Sequence, residues 1–568
     1  RDKTARPLTV SDNGIGMTKE EMEENLGTIC KSGSLGFKQQ MEKNEDIDII
    51  GQFGVGFYAA FMVARKVTVI SKKYGEDTAW KWVSDGADGY TIEEAERSAA
   101  GTDVIMQLKA DTEEDKYSRF LEEYEIRQLV KKYSDYLRYP IRMLVSKSRL
   151  KEDAPDDKPE YESYEEVDTL NSMIPLWQRA KKDVTEEEYN QFYKDNFYDF
   201  NDPLRVIHSS TEGAATYNAL LFVPSKAPFN YYSKDFEKGL KLYASGVLIM
   251  DCCKDLLPDY FSFVRGLVDS ADLSLNISRE MLQQDRQLQV IAKHLEKKIK
   301  SELLAMLRND KEKYEEFWKQ FGMQIKFGIY SGFGMNTELL KDLVIFYSSY
   351  EKKYTTLEDY IARMPEEQKY IYYACGENVD KISKLPQAEL IMDKGYEILF
   401  LTEDVDEFTV KAMHMCDGKE FRSISDDDLG LETEAEKDEQ KKKDEENKEL
   451  FDFMKEALAG KVATVKASHR LKSHPVCLST EGGISLEMEK VFAQQPNAEN
   501  RIKASRVLEI NTDHKIFTTM TDLYASASDA DKEKVKTYTD LLYNQALLIE
   551  GMPIDDPVAF ANAICELM

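Results

Sequence analysis

Asp12-Asn13-Gly14-Ile15-Gly16-Met17 and, downstream, Gly51-Gln52-Phe53-Gly54-Val55-Gly56-Phe57 are the two stretches that decide the fold of this chain. An ionised carboxylate only accepts hydrogen bonds, so Asp12 at a strand end suits the exocyclic amine of adenine. Gly14 and Gly16 let the backbone come close to a flat base, where any Cβ would collide. Alone, Asp-Asn-Gly is a common turn, and the turn is then the favoured reading. Gly51, Gly54 and Gly56 open an apolar helical segment and would expose backbone N–H groups at its positive end, an arrangement that binds phosphate. This is not a Walker A loop, since no Lys-Ser/Thr follows, and no strand leads tightly into it as in a Rossmann fingerprint. Gly101-Thr102-Asp103 precedes a strand and offers a hydroxyl to join Asp12 at the base. Each motif is weak alone, but in this order they specify a split adenine-and-phosphate site. Between its halves, Leu26-Gly27-Thr28-Ile29 and Lys31-Ser32-Gly33-Ser34 place glycines as hinges of a lid.

Working outward, Pro7 to Ser11, Lys66 to Ser71, Ala79 to Val83 and Asp103 to Leu108 have strand patterns, and Thr18 to Leu26 opens like a helix. Residues 1–145 are therefore expected to form an α/β sandwich. Residues 146–172, rich in Lys, Glu, Asp and Pro, suit a linker or an exposed hairpin loop. A second domain is expected over 173–425, with strands at Leu220 to Val223, Val247 to Met250 and Glu397 to Leu401 and a clear amphipathic helix at Leu288 to Leu307. Residues 426–449 are almost wholly charged and predict a polar helix or a disordered connector. Residues 450–568 form an α+β block ending in two apolar helical segments, Asp531 to Ile549 and Pro557 to Leu567. Such a pair either covers an isologous dimer interface or folds back on its own domain.

The 568 residues are too many for one core and suggest three or four domains. With 76 basic and 105 acidic residues the net charge is −29, which opposes binding of a nucleic acid without a segregated basic face. No stretch is apolar for long enough to cross a membrane, so no membrane partner is expected. The seven cysteines show no CxxC spacing, so neither a metal site nor a disulfide framework is expected; reduced thiols fit a cytoplasmic location.

The three motifs resemble those of the ATPase superfamily shared by gyrase-type topoisomerases, MutL, sensor histidine kinases and heat shock protein 90 chaperones. NLGTICKSG (Asn25 to Gly33) and GQFGVGFYAAF (Gly51 to Phe61) single out the heat shock protein 90 family, in its bacterial branch. PLWQRAKKDVTEEEYNQFYK (Pro175 to Lys194), LFVPSKAPF (Leu221 to Phe229), RGLVDSADLSLNISREMLQQ (Arg265 to Gln284), SHRLKSHPVCL and INTDHKIF extend the resemblance over nearly the whole chain. It implies an α+β multidomain fold: a split-motif (GHKL-type) ATPase α/β sandwich, an α/β middle domain and an α+β C-terminal dimerisation domain. The cofactors implied are ATP and Mg²⁺.

Residue by residue, the resemblance assigns adenine to Asp12, with Gly16, Met17 and Thr102 beside it. Asn25 and Lys31 fall near the ribose and phosphates, and Gly51, Gln52, Phe53, Gly54, Val55, Gly56 and Phe57 cradle the phosphates. Arg279 would reach the γ-phosphate, with Gln283 in support; a guanidinium there stabilises charge on the transferring phosphoryl group. By itself Arg279 is an ordinary surface charge at a helix start. The family's catalytic Glu and Mg²⁺-ligating Asn come from a helix ahead of the Asp12 strand. Neither is assignable in a sequence opening at Arg1, so a fragment with impaired hydrolysis is expected.

Trp177 matches a family position implicated in client binding, and Met488, Val491 and Phe492 could form an apolar stripe suited to promiscuous contact; the bland alternative is that all four are core. The expected partners are a second copy, joined through the C-terminal helices, and partly folded client proteins. Helical-repeat co-chaperones that read an acidic Met-Glu-Glu-Val-Asp tail would find none in Cys565-Glu566-Leu567-Met568. The rival from another class is a DNA-acting ATPase of the gyrase B or MutL type. A sensor kinase is disfavoured by the length that follows the site.

Overall fold

In the computed structural model the described residues are 5–28, 56–150, 161–213, 215–271, 273, 286–494, 502–526 and 528–567. They belong to two compact units, one built from 1–224, 230–257 and 264–296, the other from 225–229, 258–263 and 297–568.

The first unit begins with an antiparallel sheet of β1 (Pro7–Asp12), β2 (Ala64–Lys72), β3 (Ala79–Ser84), β4 (Tyr90–Ala95) and β5 (Gly101–Leu108), in the order β1-β5-β2-β3-β4. Alternation decides its inner face: Val67, Val69 and Ser71 of β2 point inward while their neighbours are more exposed. Helix α1 (Lys19–Leu26) starts where a capping box forms, Thr18 accepting from the Glu21 amide and Glu21 from the Thr18 amide. It buries Met22 and Leu26 against Val67, Val69 and Trp82. The short helix α2 (Ala60–Val63) leads into β2.

After α3 (Glu123–Tyr133) comes a two-stranded ribbon of β6 (Arg142–Leu150) and β7 (Tyr161–Thr169), paired from Arg142↔Thr169 to Leu150↔Tyr161. Of the two sequence readings for this stretch, linker or hairpin, it is the hairpin that forms, and residue 145 falls inside β6. The same unit holds a second sheet, β11-β10-β12-β9-β8, made of β8 (Arg205–Thr211), β9 (Tyr217–Val223), β10 (Leu240–Ala244), β11 (Val247–Cys253) and β12 (Arg265–Asp269). Helix α4 (Glu186–Phe197), again opened by a capping box at Thr185 and Glu188, packs Tyr189 and Tyr193 on Leu220, Phe222 and Leu267.

The second unit carries helices α5 (Arg286–Asn309, from residue 297 on) and α6 (Lys311–Ser331), and a six-stranded mixed sheet. Its strands are β13 (Ile345–Ser348), β14 (Tyr354–Thr356), β15 (Tyr370–Cys375), β16 (Ile398–Leu401), β17 (Met415–Cys416) and β18 (Lys419–Ser423), with α7 (Asp406–Met413) between β16 and β17. The charged stretch forms a polar helix, α8 (Glu434–Glu446), with no buried residue. It is tied down at one point, where Asp444 accepts from the Ala467 amide and Gln440 donates to the Ala467 carbonyl. Next come α9 (Lys448–Ala457), β19 (Thr464–Ala467), β20 (Val476–Glu481), α10 (Leu486–Ala493), β21 (Ser505–Ile510), α11 (Lys515–Ala525), α12 (Asp529–Ile549) and α13 (Pro557–Leu567). The last three strands form a sheet in the order β19-β21-β20. Helix α12 buries Val535, Leu542, Tyr543, Ala546 and Leu547 in its own domain's core, whereas α13 leaves Val558 and Ile564 exposed.

A fully buried ion pair fixes the centre of this last sheet: Arg470 Nη2 lies 3.0 Å from Glu509 Oε1 and neither side chain is exposed. Arg470 also donates to the carbonyls of Ile424 at 2.8 Å, Asp426 at 2.9 Å and Asp427 at 2.8 Å, clamping the segment after β18 to the sheet. Ser479 and Ser468 donate to the two Glu509 oxygens. Burial opposes the Glu509 charge, but Arg470 and Lys466 more than offset it and hold its carboxyl below the usual value. Arg470→Met leaves the buried Glu509 charge with only Lys466, 3.9 Å away, and is expected to lower stability by about 3–5 kcal/mol in urea unfolding. A loss below about 1 kcal/mol would show that water or another cation replaces Arg470.

Candidate nucleotide-binding site

Strand register brings together residues that are far apart in sequence. Asp12 on β1 pairs with Thr102 on β5, and Thr102 pairs with Ser71 on β2. The Thr102 and Ser71 hydroxyls are 2.8 Å apart, and the Met17 amide donates to Ser71 Oγ at 2.9 Å. Both side chains are buried. The loop that leaves β1 is thus stitched to the central strand through one hydroxyl.

Gly16 makes that stitch sterically feasible. Its φ is +66°, and a Cβ there would lie 1.8 Å from the Lys72 carbonyl oxygen. No side chain fits. The Tyr74 amide donates to the Ile15 carbonyl at 2.7 Å, holding the same loop from its other side. Gly101 is similarly required: at φ +127° its Cβ would lie 2.2 Å from the Asp12 carbonyl oxygen.

Asp12 is exposed, and its Oδ1 accepts from the Gly14 amide at 2.8 Å. The turn and the base-anchor readings are therefore compatible, since Oδ2 has no partner among the described residues and can accept from a ligand amine. Arg97 fixes the backbone here, donating to the Asp12 carbonyl at 3.0 Å while pairing with Asp103 at 3.1 Å. Burial works against the Asp103 charge, but hydrogen bonds from Arg97 and Ser11 keep its carboxyl below the usual value.

Asn25 sits half-buried on α1, one residue before buried Leu26. Gly56 is exposed with open space where a Cβ would be, so its backbone is approachable. The Phe57 ring instead packs edge-on against Trp82 at 5.5 Å, leaving only its backbone for a ligand. Lys31, Gly51, Gln52, Phe53, Gly54, Val55, Arg279 and Gln283 lie outside the described residues. Among the described residues no cluster of three metal-ligating side chains occurs.

Ser71 and Arg97 were not among the sequence candidates. Ser71 ends the KVTVIS strand on the Val67 and Val69 face, and that alternation was its only signal. The expected client contacts differ in exposure. Trp177 is fully buried, with its indole N–H donating to Asp269 Oδ2 at 2.9 Å and its ring edge-on to Tyr136 at 4.4 Å. It is a core residue and presents no surface to a client. Met488 is also buried, with Lys411 Nζ 3.2 Å from its sulfur, because the first turn of α10 packs inward. Phe492 is half-buried and edge-on to Phe408 at 5.7 Å, and Val491 is half-buried.

Comparison with known proteins fits this geometry. Residues 1–112 match the model of the histidine kinase-, DNA gyrase B- and HSP90-like ATPases, which gives the class of the first sheet and its site. Residues 151–568 match the Hsp90 protein model. The chain is 56% identical over 567 residues to the chaperone protein HtpG of Bacillus subtilis (strain 168), covering all of this chain and 89% of that protein. The HtpG chaperones of Clostridium acetobutylicum and Clostridium botulinum (strain Langeland) are 56% and 55% identical, with the same coverage. The chain belongs to the Hsp90 family, in its bacterial HtpG branch. The gyrase B or MutL alternative is not favoured, because the downstream match is to Hsp90.

Ser71→Ala removes the acceptor of the Met17 amide and the partner of Thr102. The expected loss is about 1–3 kcal/mol in the first sheet, read as a lower thermal midpoint together with faster amide exchange at Met17. Unchanged exchange at Met17 would remove Ser71 from the site's framework.

Proposed function

We propose that this chain is an ATP-dependent chaperone: it binds ATP with Mg²⁺, hydrolyses it, and couples the cycle to holding and releasing partly folded proteins as a homodimer. The single observation that carries the proposal is the meeting of Asp12, Thr102 and Ser71 on three adjacent strands, backed by glycines that cannot be replaced, in a chain of the Hsp90 family. Asp12 receives the adenine amine, with Gly16, Met17 and Thr102 around the base. Asn25, Lys31 and Gly51 to Phe57 serve the ribose and phosphates, and Arg279 with Gln283 stabilises the transferring phosphoryl group. ATP supplies the phosphoanhydride whose cleavage drives the cycle.

Client contact is supported by an aromatic run that does not include Trp177. Phe492 meets Phe408, which meets Tyr330 at 5.3 Å, which meets Phe327 at 6.2 Å, and Phe333 and Met335 beyond them are strongly exposed. A surface of aromatics and Met adapts to many partners. The homodimer is supported by α13, whose Val558 and Ile564 face solvent. A reducing, cytoplasmic setting is supported by six unpaired cysteines among the described residues.

Asp12→Asn tests the nucleotide assignment, because a carboxamide can be held in the same turn while losing the charged acceptor. ATP affinity by calorimetry is expected to fall about 10- to 150-fold, the equivalent of about 1.5–3 kcal/mol, with the circular dichroism spectrum unchanged. Unchanged affinity would remove Asp12 from the adenine site. For the assembly, sedimentation of the chain is expected to give a dimer that becomes monomeric when 557–568 are deleted; a dimer that survives the deletion would move the interface off α13.

A further inference from the structure

A groove of about 970 Å³ opens in the first unit between α3 and α4, with β10, β11 and β12 as its floor. It is far in sequence from the nucleotide motifs and shares none of their residues. Its size is at the upper end of the range for ligand cavities.

Its charges are not balanced evenly. Four lining carboxylates already have cations: Asp135 with Lys131 at 2.7 Å, Asp251 with Lys132 at 3.0 Å, Glu188 with Arg179 at 2.7 Å and Glu237 with Lys254 at 3.1 Å. A fifth, Asp195, accepts from the Gln191 amide. Two cations on the floor, Lys241 and Arg265, have no carboxylate within ion-pair distance among the described residues. Each instead lies over an aromatic ring, Lys241 over Phe197 at 5.5 Å and Arg265 over Phe236 at 5.0 Å. A ring face is worth about 0.5–2 kcal/mol to a cation and does not replace a counter-ion.

These two cations share one face. Lys241 on β10 is registered with Leu267 on the parallel strand β12, and Arg265 is two residues before Leu267, so alternation puts all three on the same side of the sheet. As diagonal neighbours their Cα atoms are about 8 Å apart, a span that one carboxylate can bridge. Burial holds both groups below their usual pKa values, outweighing the opposite pull of Asp251 on Lys241 and of Tyr193 and Asp199 on Arg265. Apolar and aromatic side chains, Leu176, Phe192, Tyr136, Tyr243 and Leu248, share the rest of the lining with polar ones such as Gln128, Gln191 and Asn196.

We infer that this groove is a binding site for a short peptide segment that presents one carboxylate, held between Lys241 and Arg265, beside an apolar or aromatic side chain. The Arg265 guanidinium offers a carboxylate two parallel N–H donors. A phosphate group fits less well, since its second charge would be set among five lining carboxylates. The inference rests on the charge and shape of the groove alone, so its failure leaves the ATP and chaperone proposals untouched.

The test is fluorescence anisotropy on the full, nucleotide-free chain, with a capped peptide of sequence Leu-Phe-Glu-Phe-Gly carrying a zwitterionic dye and its Gln counterpart. The Glu peptide is expected to bind at least about tenfold more tightly than the Gln peptide, the worth of one charge-assisted hydrogen-bond pair. In Lys241→Gln the ratio should fall to about threefold, and in Arg265→Gln to about onefold, with Gln-peptide affinity unchanged. Should Arg265→Gln fail to fold, Lys241→Gln alone decides. Equal affinity for the two peptides in the parent chain, or a ratio that survives in Lys241→Gln, overturns the proposal. So does inorganic phosphate displacing the Glu peptide at a lower concentration than acetate, which would assign the cations to a phosphate group.

Discussion

The buried Ser71 hydroxyl is the point on which the candidate nucleotide site depends. It accepts from the Met17 amide and lies against the Thr102 hydroxyl, so it joins the loop after β1 to the ends of β5 and β2. A hydroxyl can do this because it accepts and donates at once, and a buried amide left without a partner would cost more than the bond itself supplies. The stitch in turn demands a loop without a side chain at Gly16, where the Lys72 carbonyl occupies the place of a Cβ. Asp12 is then left exposed at the strand end with one oxygen closing a turn and the other turned to solvent. The carboxylate is positioned by its own bond to the Gly14 amide and by the backbone that its neighbours hold in place.

Much of this is legible in the sequence alone. Asp12, Gly16 and Thr102 stand out because a strand end, a glycine needed for close approach and a small hydroxyl are each recognisable by type. Ser71 was not, since a serine at the end of a strand has no distinctive neighbours and only the β2–β5 register shows what it faces. The β6–β7 ribbon was ambiguous for a related reason. Its residues are mostly half-exposed or exposed on both faces, so no hydrophobic alternation separates a strand from a linker. Trp177 is open in both directions, because a large aromatic in a polar stretch is as compatible with a core as with a contact surface, and the structure buries it. Its indole N–H has a buried partner in Asp269, and that partner lies 92 residues away in sequence.

In the second unit the organising interaction is electrostatic. The Arg470–Glu509 pair is wholly buried, and such pairs add little net stability compared with an apolar replacement of the same volume. Its use is geometric: the guanidinium donates to three carbonyls between Ile424 and Asp427, those of Ile424, Asp426 and Asp427, which fixes the placement of that segment. The charged helix α8 then needs no core of its own. It is held by its capping box and by its bonds to Ala467, which explains how a stretch with no buried residue is still a regular helix.

A net charge of −29 opposes acidic partners on average, but distance decides at any one site. At physiological ionic strength the average field decays over about 8 Å, so a ligand at the groove responds to the charges lining it and hardly to the rest of the surface. Within that radius four of the five lining carboxylates already have a cation, while Lys241 and Arg265 have no carboxylate in ion-pair contact, so the floor offers two cations that the global balance does not reveal. The global charge slows the approach of an acidic segment, and the local pair slows its departure. Raising the ionic strength should therefore quicken association of a carboxylate peptide while hastening its release, a combination that a uniformly basic site cannot produce.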